Sequence, residues 1–279
     1  MRAIDRRDWT KVGAGVRPWF VRGFSRYVGW MLRGQFRAVR LSVRSWLPTE
    51  DAPRPLVVYL NHPSWWDPLI AFWFARRFLP GRRHFGPIDD AQIARYGLFK
   101  WIGLFGVEKG TGSGARRFLR VAQGLLSAPE SVLWLTPQGR FADARERPVR
   151  FAPGLSHLAT RLPDVHFVPL ALEYGFGQER LPEIHARFGV PVSGSVLASR
   201  ACADPEEAAL APAPAANAAL EARLEALQDA LRAEVLGGAG EQWEVLMEGA
   251  GGATFAYDFW RRAKGVLQGR RVQVNHAER

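Results

Sequence analysis

Three short apolar runs, at residues 56–60, 132–135 and 166–172, constrain this chain more than any other feature. Each is too short for a core helix and almost free of charge, so each reads as a buried strand. Helix-compatible stretches lie between them, at 67–77, 89–100 and 115–127, with a short strand expected around 106–109. A further strand is expected over 186–197, and residues 80–87 read as a basic loop. Strands alternating with helices predict an α/β fold with a mostly parallel central sheet flanked by helices. With 279 residues, 47% of them hydrophobic, the chain can bury one sizeable core and still carry appendages.

The flanks differ from this middle. Residues 1–50 carry eleven basic and three acidic side chains, so +8 of the chain's net +11 lies there. Projected at 100° per residue, a helix over 17–46 gathers Arg22, Arg26, Arg33, Arg37, Arg40 and Arg44 on one side. Phe20, Phe24, Tyr27, Val28 and Met31 fall on the other. Such segregation describes an amphipathic helix lying in a lipid surface; an ordinary surface helix rarely collects six positive and no negative charges on one face. After 200, an Ala/Pro/Glu-rich linker (204–218) leads to a helix from about 217 to 236, with leucines at 220, 224, 227 and 231. A basic cluster, Arg261, Arg262, Lys264, Arg270 and Arg271, follows beside Phe255, Tyr257, Phe259 and Trp260. The expected organisation is an N-terminal basic amphipathic membrane-surface segment (1–48), a catalytic domain (49–200) and a helical C-terminal extension with a basic tail (201–279).

The chemistry concentrates where the first apolar run ends, in Asn61-His62-Pro63-Ser64-Trp65-Trp66-Asp67-Pro68. Histidine has the side chain whose ordinary pKa lies nearest neutrality, so it can take a proton from an alcohol and later return it. A base of this kind needs an orienter. A carboxylate accepting the imidazole N–H fixes the tautomer and stabilises the imidazolium. His62 closes a strand and Asp67 opens a helix, with Pro68 suited to its first turn. A turn of four residues between them can fold the carboxylate back onto the ring.

This H-x4-D block resembles the first motif of the glycerolipid acyltransferase superfamily, the group that contains the lysophosphatidate acyltransferases. Residues Gly103-Leu104-Phe105-Gly106-Val107-Glu108-Lys109 resemble the second block, normally a Gly-rich strand ending in Arg. Thr136-Pro137-Gln138-Gly139-Arg140 resembles the third, normally Pro-Glu-Gly-Thr-Arg, and Val168-Pro169 the fourth. The blocks stand in the family's order across residues 55–175. The resemblance implies that His62 is the general base and Asp67 its orienter, and that Lys109, Gln138, Gly139 and Arg140 bind the acceptor. It further implies a fatty acyl donor, acyl-CoA or acyl-carrier protein, and a lipid hydroxyl as acceptor, with no cofactor; no pair of histidines shows metal-ligand spacing, so no metal is expected. The acceptor blocks depart from the family pattern. Lys109 replaces Arg and loses the bidentate fork, Gln138 replaces Glu, and Arg140 comes one position early, leaving Phe141 where the Arg is expected. A simple lysophosphatidate is therefore not the expected acceptor.

Other readings fare less well. Gly110-Thr111-Gly112-Ser113-Gly114-Ala115 fits G-x-G-x-x-A, but the next strand ends in Pro137-Gln138, where a dinucleotide site needs a carboxylate. Its glycines could instead offer N–H groups to a phosphate, or simply turn the chain. There is no G-x-S-x-G, so a serine hydrolase lacks its elbow. A nucleic-acid binder would interleave aromatics with its basic residues, whereas these segregate; no nucleic acid is expected. One cysteine, Cys202, excludes an internal disulfide and fits a reducing compartment. Arg17, Arg22 and Arg26 break any apolar signal region, and no run of 18 apolar residues exists to span a membrane. The expected protein is a peripheral membrane acyltransferase on the cytoplasmic face. The alternative is a lipid-binding relative with reduced turnover. Nothing in the sequence fixes an oligomeric state.

Overall fold

The computed structural model describes residues 7–47, 54–177, 179–200, 212–238 and 240–250. In chain order the elements are α1 (Arg7–Gly15), α2 (Pro18–Gln35), β1 (Ala38–Ser42), β2 (Leu56–Leu60), α3 (Asp67–Phe78), β3 (Arg83–Asp89) and α4 (Asp90–Arg95). A 3-10 turn, Gly97–Ile102, leads to β4 (Leu104–Val107), α5 (Gly112–Leu125), β5 (Ser131–Leu135), α6 (Gly154–Arg161) and β6 (His166–Gly175). Then come β7 (Glu183–Phe188), β8 (Val192–Ser193), α7 (Gly194–Arg200), α8 (Pro212–Leu236) and β9 (Trp243–Glu248). The sheet runs β4-β3-β5-β2-β6-β7-β1-β9, with β8 added beside β6. The five strands from β4 to β6 are parallel to one another. Strand β7 runs against β6, and β9 against β1. The fold is thus α/β with a mostly parallel central sheet flanked by helices, as the three apolar runs predict.

Strand β2 explains why those runs lack alternation. All five of its residues are buried. Leu56, Val58 and Leu60 face a core layer shared with α2 and α3, where Val28, Leu32, Ile70 and Phe74 pack. Val57 and Tyr59 face the opposite layer, with Val121 and Leu125 of α5, Leu155 and Leu158 of α6, and Leu220 and Leu224 of α8. A strand covered on both faces is apolar at every position. Each such aliphatic side chain contributes about 1.5–3 kcal/mol when fully buried, so one charge in β2 would offset much of what its neighbours add.

The flanks are where expectation and structure part. The helix predicted over 17–46 ends at Gln35, and β1 follows in the interior of the sheet, between β7 and β9. Phe36, Val39 and Leu41 are buried in the layer under α2 and α3. The strand also satisfies backbone groups of two neighbours, which a continuing helix would leave unpaired. The six-arginine stripe therefore does not exist as one face. Arg22, Arg26 and Arg33 stay exposed on α2. Arg40 instead makes a bidentate pair with Glu183, at 2.6 and 3.0 Å, and Arg44 approaches Glu234 at 3.9 Å. The apolar side of α2 is divided too. Val28 and Leu32 are buried, and Phe24 meets Phe72 of α3 with centroids 5.1 Å apart. Trp19, Tyr27 and Trp30 stay exposed at 61%, 51% and 72%.

Smaller corrections have local causes. The expected basic loop at 80–87 contains the start of β3, because Phe85 is buried and 83–85 pair with β5. The strand expected over 186–197 stops at Phe188; Ser193 Oγ accepts from the Val196 N–H at 3.3 Å as the chain turns into α7. The helix expected over 89–100 breaks at Tyr96 into the 3-10 turn. The region 204–211 of the expected linker and the basic cluster Arg261–Arg271 lie outside the described residues.

Candidate active site

The loop after β2 and the loop after β5 leave neighbouring strands at the same, C-terminal edge of the parallel sheet, the edge where open α/β sheets bind ligands. Asn61, fully buried, first ties the end of β2 to β6. Its Nδ2 donates to the Leu172 carbonyl and its Oδ1 accepts from the Leu172 N–H, both at 2.8 Å. His62 emerges next, and residues 63–66 turn the chain so that α3 begins at Asp67.

Asp67 comes back onto His62 as the spacing predicts. His62 Nδ1 lies 2.7 Å from Asp67 Oδ2, which also accepts the Ser64 N–H at 2.9 Å. The other carboxylate oxygen accepts the Tyr174 hydroxyl at 2.6 Å. The Asp67 side chain has no exposed surface, and that of His62 keeps 15%. Since Oδ2 is an acceptor, the network assigns the ring proton to Nδ1. The lone pair is then on Nε2, which takes no partner among the described residues. Burial pushes the Asp67 carboxyl above its ordinary range, and the donors His62, Tyr174 and Ser64 oppose the shift. Burial and the adjacent carboxylate push the Tyr174 phenol well upward, so it remains a donor.

The third block braces the same histidine from the β5 side. Gln138 Oε1 accepts the His62 N–H at 2.9 Å, and the Ala142 N–H donates to the His62 carbonyl at 3.0 Å. Between them, Phe141 lays its ring 4.3 Å from the imidazole, tilted by 36°. Gly139 makes the turn possible with φ +68°. Of the residues expected to bind the acceptor, Gln138 thus reaches the dyad, but through the backbone of His62. Arg140 is exposed and paired with Glu146, Nη1 to Oε2 at 3.0 Å. Lys109 is exposed beyond β4, three strands from β2. The Gly-rich turn after it is occupied by its own side chains. Thr111 Oγ1 caps α5 by accepting from the Gly114 N–H at 3.0 Å, and Glu108 Oε2 accepts from the Thr111 and Ser113 hydroxyls at 3.1 Å each. A carboxylate already stands at that helix end, which opposes a phosphate there. Gly114 is required by packing, since a Cβ would come within 1.9 Å of the Glu108 carbonyl oxygen.

Helix α8 anchors the segment that follows this brace. Glu225 accepts from the Val149 N–H and Glu221 from the Phe151 N–H, both at 2.7 Å. Gln228 and Arg232 donate to the Ala144 carbonyl at 3.1 and 3.0 Å, and Arg147 pairs with Asp229. A cavity of about 690 Å³ lies beside the dyad loop. Phe36, Trp66 and Phe176 contribute apolar walls; Arg145, Glu173 and Arg180 contribute charge. It touches Ser64 and Tyr174 but not the imidazole. Two further described histidines, His84 and His185, have structural settings. Burial lowers His84 to about 4; its Nε2 meets the Leu79 carbonyl and its Nδ1 accepts from the Trp134 indole. Burial likewise lowers His185 to about 4, edge-on to Trp243. No three metal-ligating side chains converge among the described residues.

Tyr174, Ala142 and the contact of Phe141 were not legible as site features. In the sequence Phe141 is marked only by standing where an Arg is expected. For Tyr174 a signal existed: in β6 Leu170, Leu172 and Tyr174 alternate onto the face that α3 covers.

A histidine held through Nδ1 by a buried carboxylate at the C-terminal edge of an α/β sheet, with its second nitrogen open, has the geometry that a general base for group transfer needs. Residues 47–173 match the family model described as Acyltransferase. The match encloses β2 through most of β6, hence the dyad and its brace. No curated protein matches the chain.

Proposed function

We propose that this acyltransferase moves a fatty acyl chain from a thioester, acyl-CoA or acyl-carrier protein, to a hydroxyl of a lipid acceptor at a membrane surface. The observation that carries the reading is the open Nε2 of His62 opposite its bond to Asp67. Nε2 takes the proton of the acceptor hydroxyl as that oxygen attacks the thioester carbon. A tetrahedral oxyanion forms, the C–S bond breaks, and the imidazolium returns the proton to the departing thiolate. No acyl-enzyme and no cofactor are required. The acceptor is a hydroxylated lipid other than a simple lysophosphatidate. Support comes from Phe141 on the imidazole, Arg140 committed to Glu146, and the carboxylate of Glu108 at the head of α5.

Membrane attachment rests on a row of rings along α2. Trp101 meets Trp19 and Phe20 at 5.8 and 5.2 Å, and the row continues through Phe24 and Tyr27 to Trp30 at steps of about 6 Å. Exposed Arg22, Arg26 and Arg33 lie on the same helix. Aromatics beside arginines suit the headgroup boundary of an anionic bilayer. No described helix is long and apolar enough to cross it. The decisive experiment offers labelled acyl-CoA and acyl-carrier protein against lysophospholipids, glycolipids, hydroxylated terpenoids and lipoamino acids, with wild type and His62→Ala. Transfer to a phosphate-free hydroxy lipid, lost in His62→Ala, is expected. Transfer that survives in His62→Ala, or clear preference for lysophosphatidate, overturns the corresponding part of the reading. In vesicle flotation, replacing Trp19, Tyr27 and Trp30 with Ser is expected to release the enzyme from anionic vesicles; unchanged binding rejects the α2 face.

A further inference from the structure

We infer that Tyr174 is a positioning residue of the acyl-transfer site: its hydroxyl holds the one Asp67 oxygen that His62 does not use, and so fixes the carboxylate that orients the base. The inference rests on the His62 mechanism proposed above and extends it to a residue outside the four motif blocks, at the far end of β6. The geometry is closed on every side. Oδ2 receives His62 and the Ser64 N–H, and Oδ1 receives Tyr174 at 2.6 Å. Asp67 is fully buried, and Tyr174 is the one side-chain donor on Oδ1 among the described residues, so removing it takes away that oxygen's partner. The Tyr174 ring is itself held, with Phe36 of the segment before β1 at 6.0 Å.

The placement follows from register. Leu60, the last residue of β2, is opposite Leu170. Strand β6 runs on past the end of β2, and Tyr174 overhangs the His62–Asp67 turn. Its period-two partners Leu170 and Leu172 lie in the layer beneath α3, so Tyr174 points to the helix's first residue. Ionisable neighbours on the packed elements are His62 and Asp67 in the dyad loop, Glu173 on β6, and Asp143, Arg145 and Arg180 around the adjacent cavity.

A phenol donating to Asp67 stabilises the dyad's net negative state more than the state in which imidazolium and carboxylate compensate each other. Removing the donor makes the dyad bind its proton more tightly, so the apparent pKa rises and the base is free only at higher pH.

The test is Tyr174→Phe, which keeps the ring. The His62 imidazole resonance, identified by its loss in His62→Ala, is titrated by NMR in the full-length protein, a measurement that needs no acceptor. In Tyr174→Phe the titration midpoint is expected to move up. With a hydroxy-lipid acceptor, kcat at neutral pH is expected to fall about tenfold with KM little changed, and the acid limb to shift in the same direction. In the Asp67→Asn background, Tyr174→Phe is expected to add little, since the two act through one bond. If Tyr174→Phe does not fold, site-specific 3-fluorotyrosine at 174, a stronger donor of nearly the same size, is expected to move the midpoint down. A His62 titration unmoved in both overturns the inference, as does full additivity with Asp67→Asn. A shifted titration without acyl transfer would leave the positioning role standing and reject the proposed reaction instead.

Discussion

Two halves of the sheet's C-terminal edge, both marked by sequence blocks, are built to different standards. Around His62 the hydrogen-bonding groups of three chain segments converge: Asp67 on Nδ1, Gln138 on the backbone N–H, the Ala142 N–H on the carbonyl, and Tyr174 behind Asp67. Around Lys109 and Arg140 the side chains are exposed, and the visible contacts are ordinary surface pairs such as Arg140 with Glu146. On the proposed function the difference separates chemistry from recognition. A base must be held to within a fraction of an ångström to act on a proton. A site whose polar groups are spent on one another offers little to a charged ligand. Gln138 and Phe141 belong to the first half in geometry, although the block that carries Gln138 belongs by resemblance to the second and its Arg140 stays there.

Substitutions rank this contrast. The largest effect is expected at the dyad: His62→Ala and Asp67→Asn each lower turnover on the order of 10²–10⁴-fold while the protein keeps its cooperative melt. Single-turnover acyl transfer together with a thermal scan checks both, and near wild-type turnover in His62→Ala would remove the reason for calling this half catalytic. A middle effect is expected at the brace. Gln138→Ala loses one of the two bonds that fix the His62 backbone, and kcat falls about tenfold with donor KM unchanged. Gln138→Glu keeps the acceptor oxygen and should restore most of the loss. If Gln138→Ala instead raises only the acceptor KM, Gln138 contacts the acceptor and the two halves are not distinct. The smallest effect is expected at Lys109→Ala and Arg140→Ala. Turnover on a phosphate-free hydroxy lipid should change by less than about threefold, because exposed ion pairs hold geometry weakly. A loss confined to phosphate-bearing acceptors would show that substrate completes this half of the site.

The elements beyond residues 47–173 divide in a similar way. Helix α8 holds the segment just past the brace through Glu221 and Glu225, which bond the backbone at Phe151 and Val149. Helix α2 buries Val28 and Leu32 and leaves Trp19, Tyr27 and Trp30 uncovered. The leucine spacing of α8 reads directly as a helix, since Leu220, Leu224 and Leu231 are fully buried and repeat at helical steps. Its glutamates read as surface charge, and their loop partners lie some 70 residues away. The arginine spacing of residues 22–44 fits a helix equally well and fails. Arginines at three- and four-residue steps carry a helical signal only where a helix exists, and pairing with β7 and β9 claimed the second half of that stretch.

By itself the sequence determined the alternating α/β order, the buried strand β2 and the return of Asp67 to His62. Those features are local: a continuous apolar run demands burial on both faces, and a four-residue turn between strand end and helix start leaves a carboxylate few places to go. Only the tertiary structure decided the register of β6, which carries Tyr174 to the back of Asp67. Tertiary structure also set the insertion of β1 between β7 and β9, and the use of Gln138 on the His62 backbone. Each depends on contacts between residues 76 to 210 positions apart. At that distance no periodicity records the pairing, and the competition among strands for backbone partners settles it.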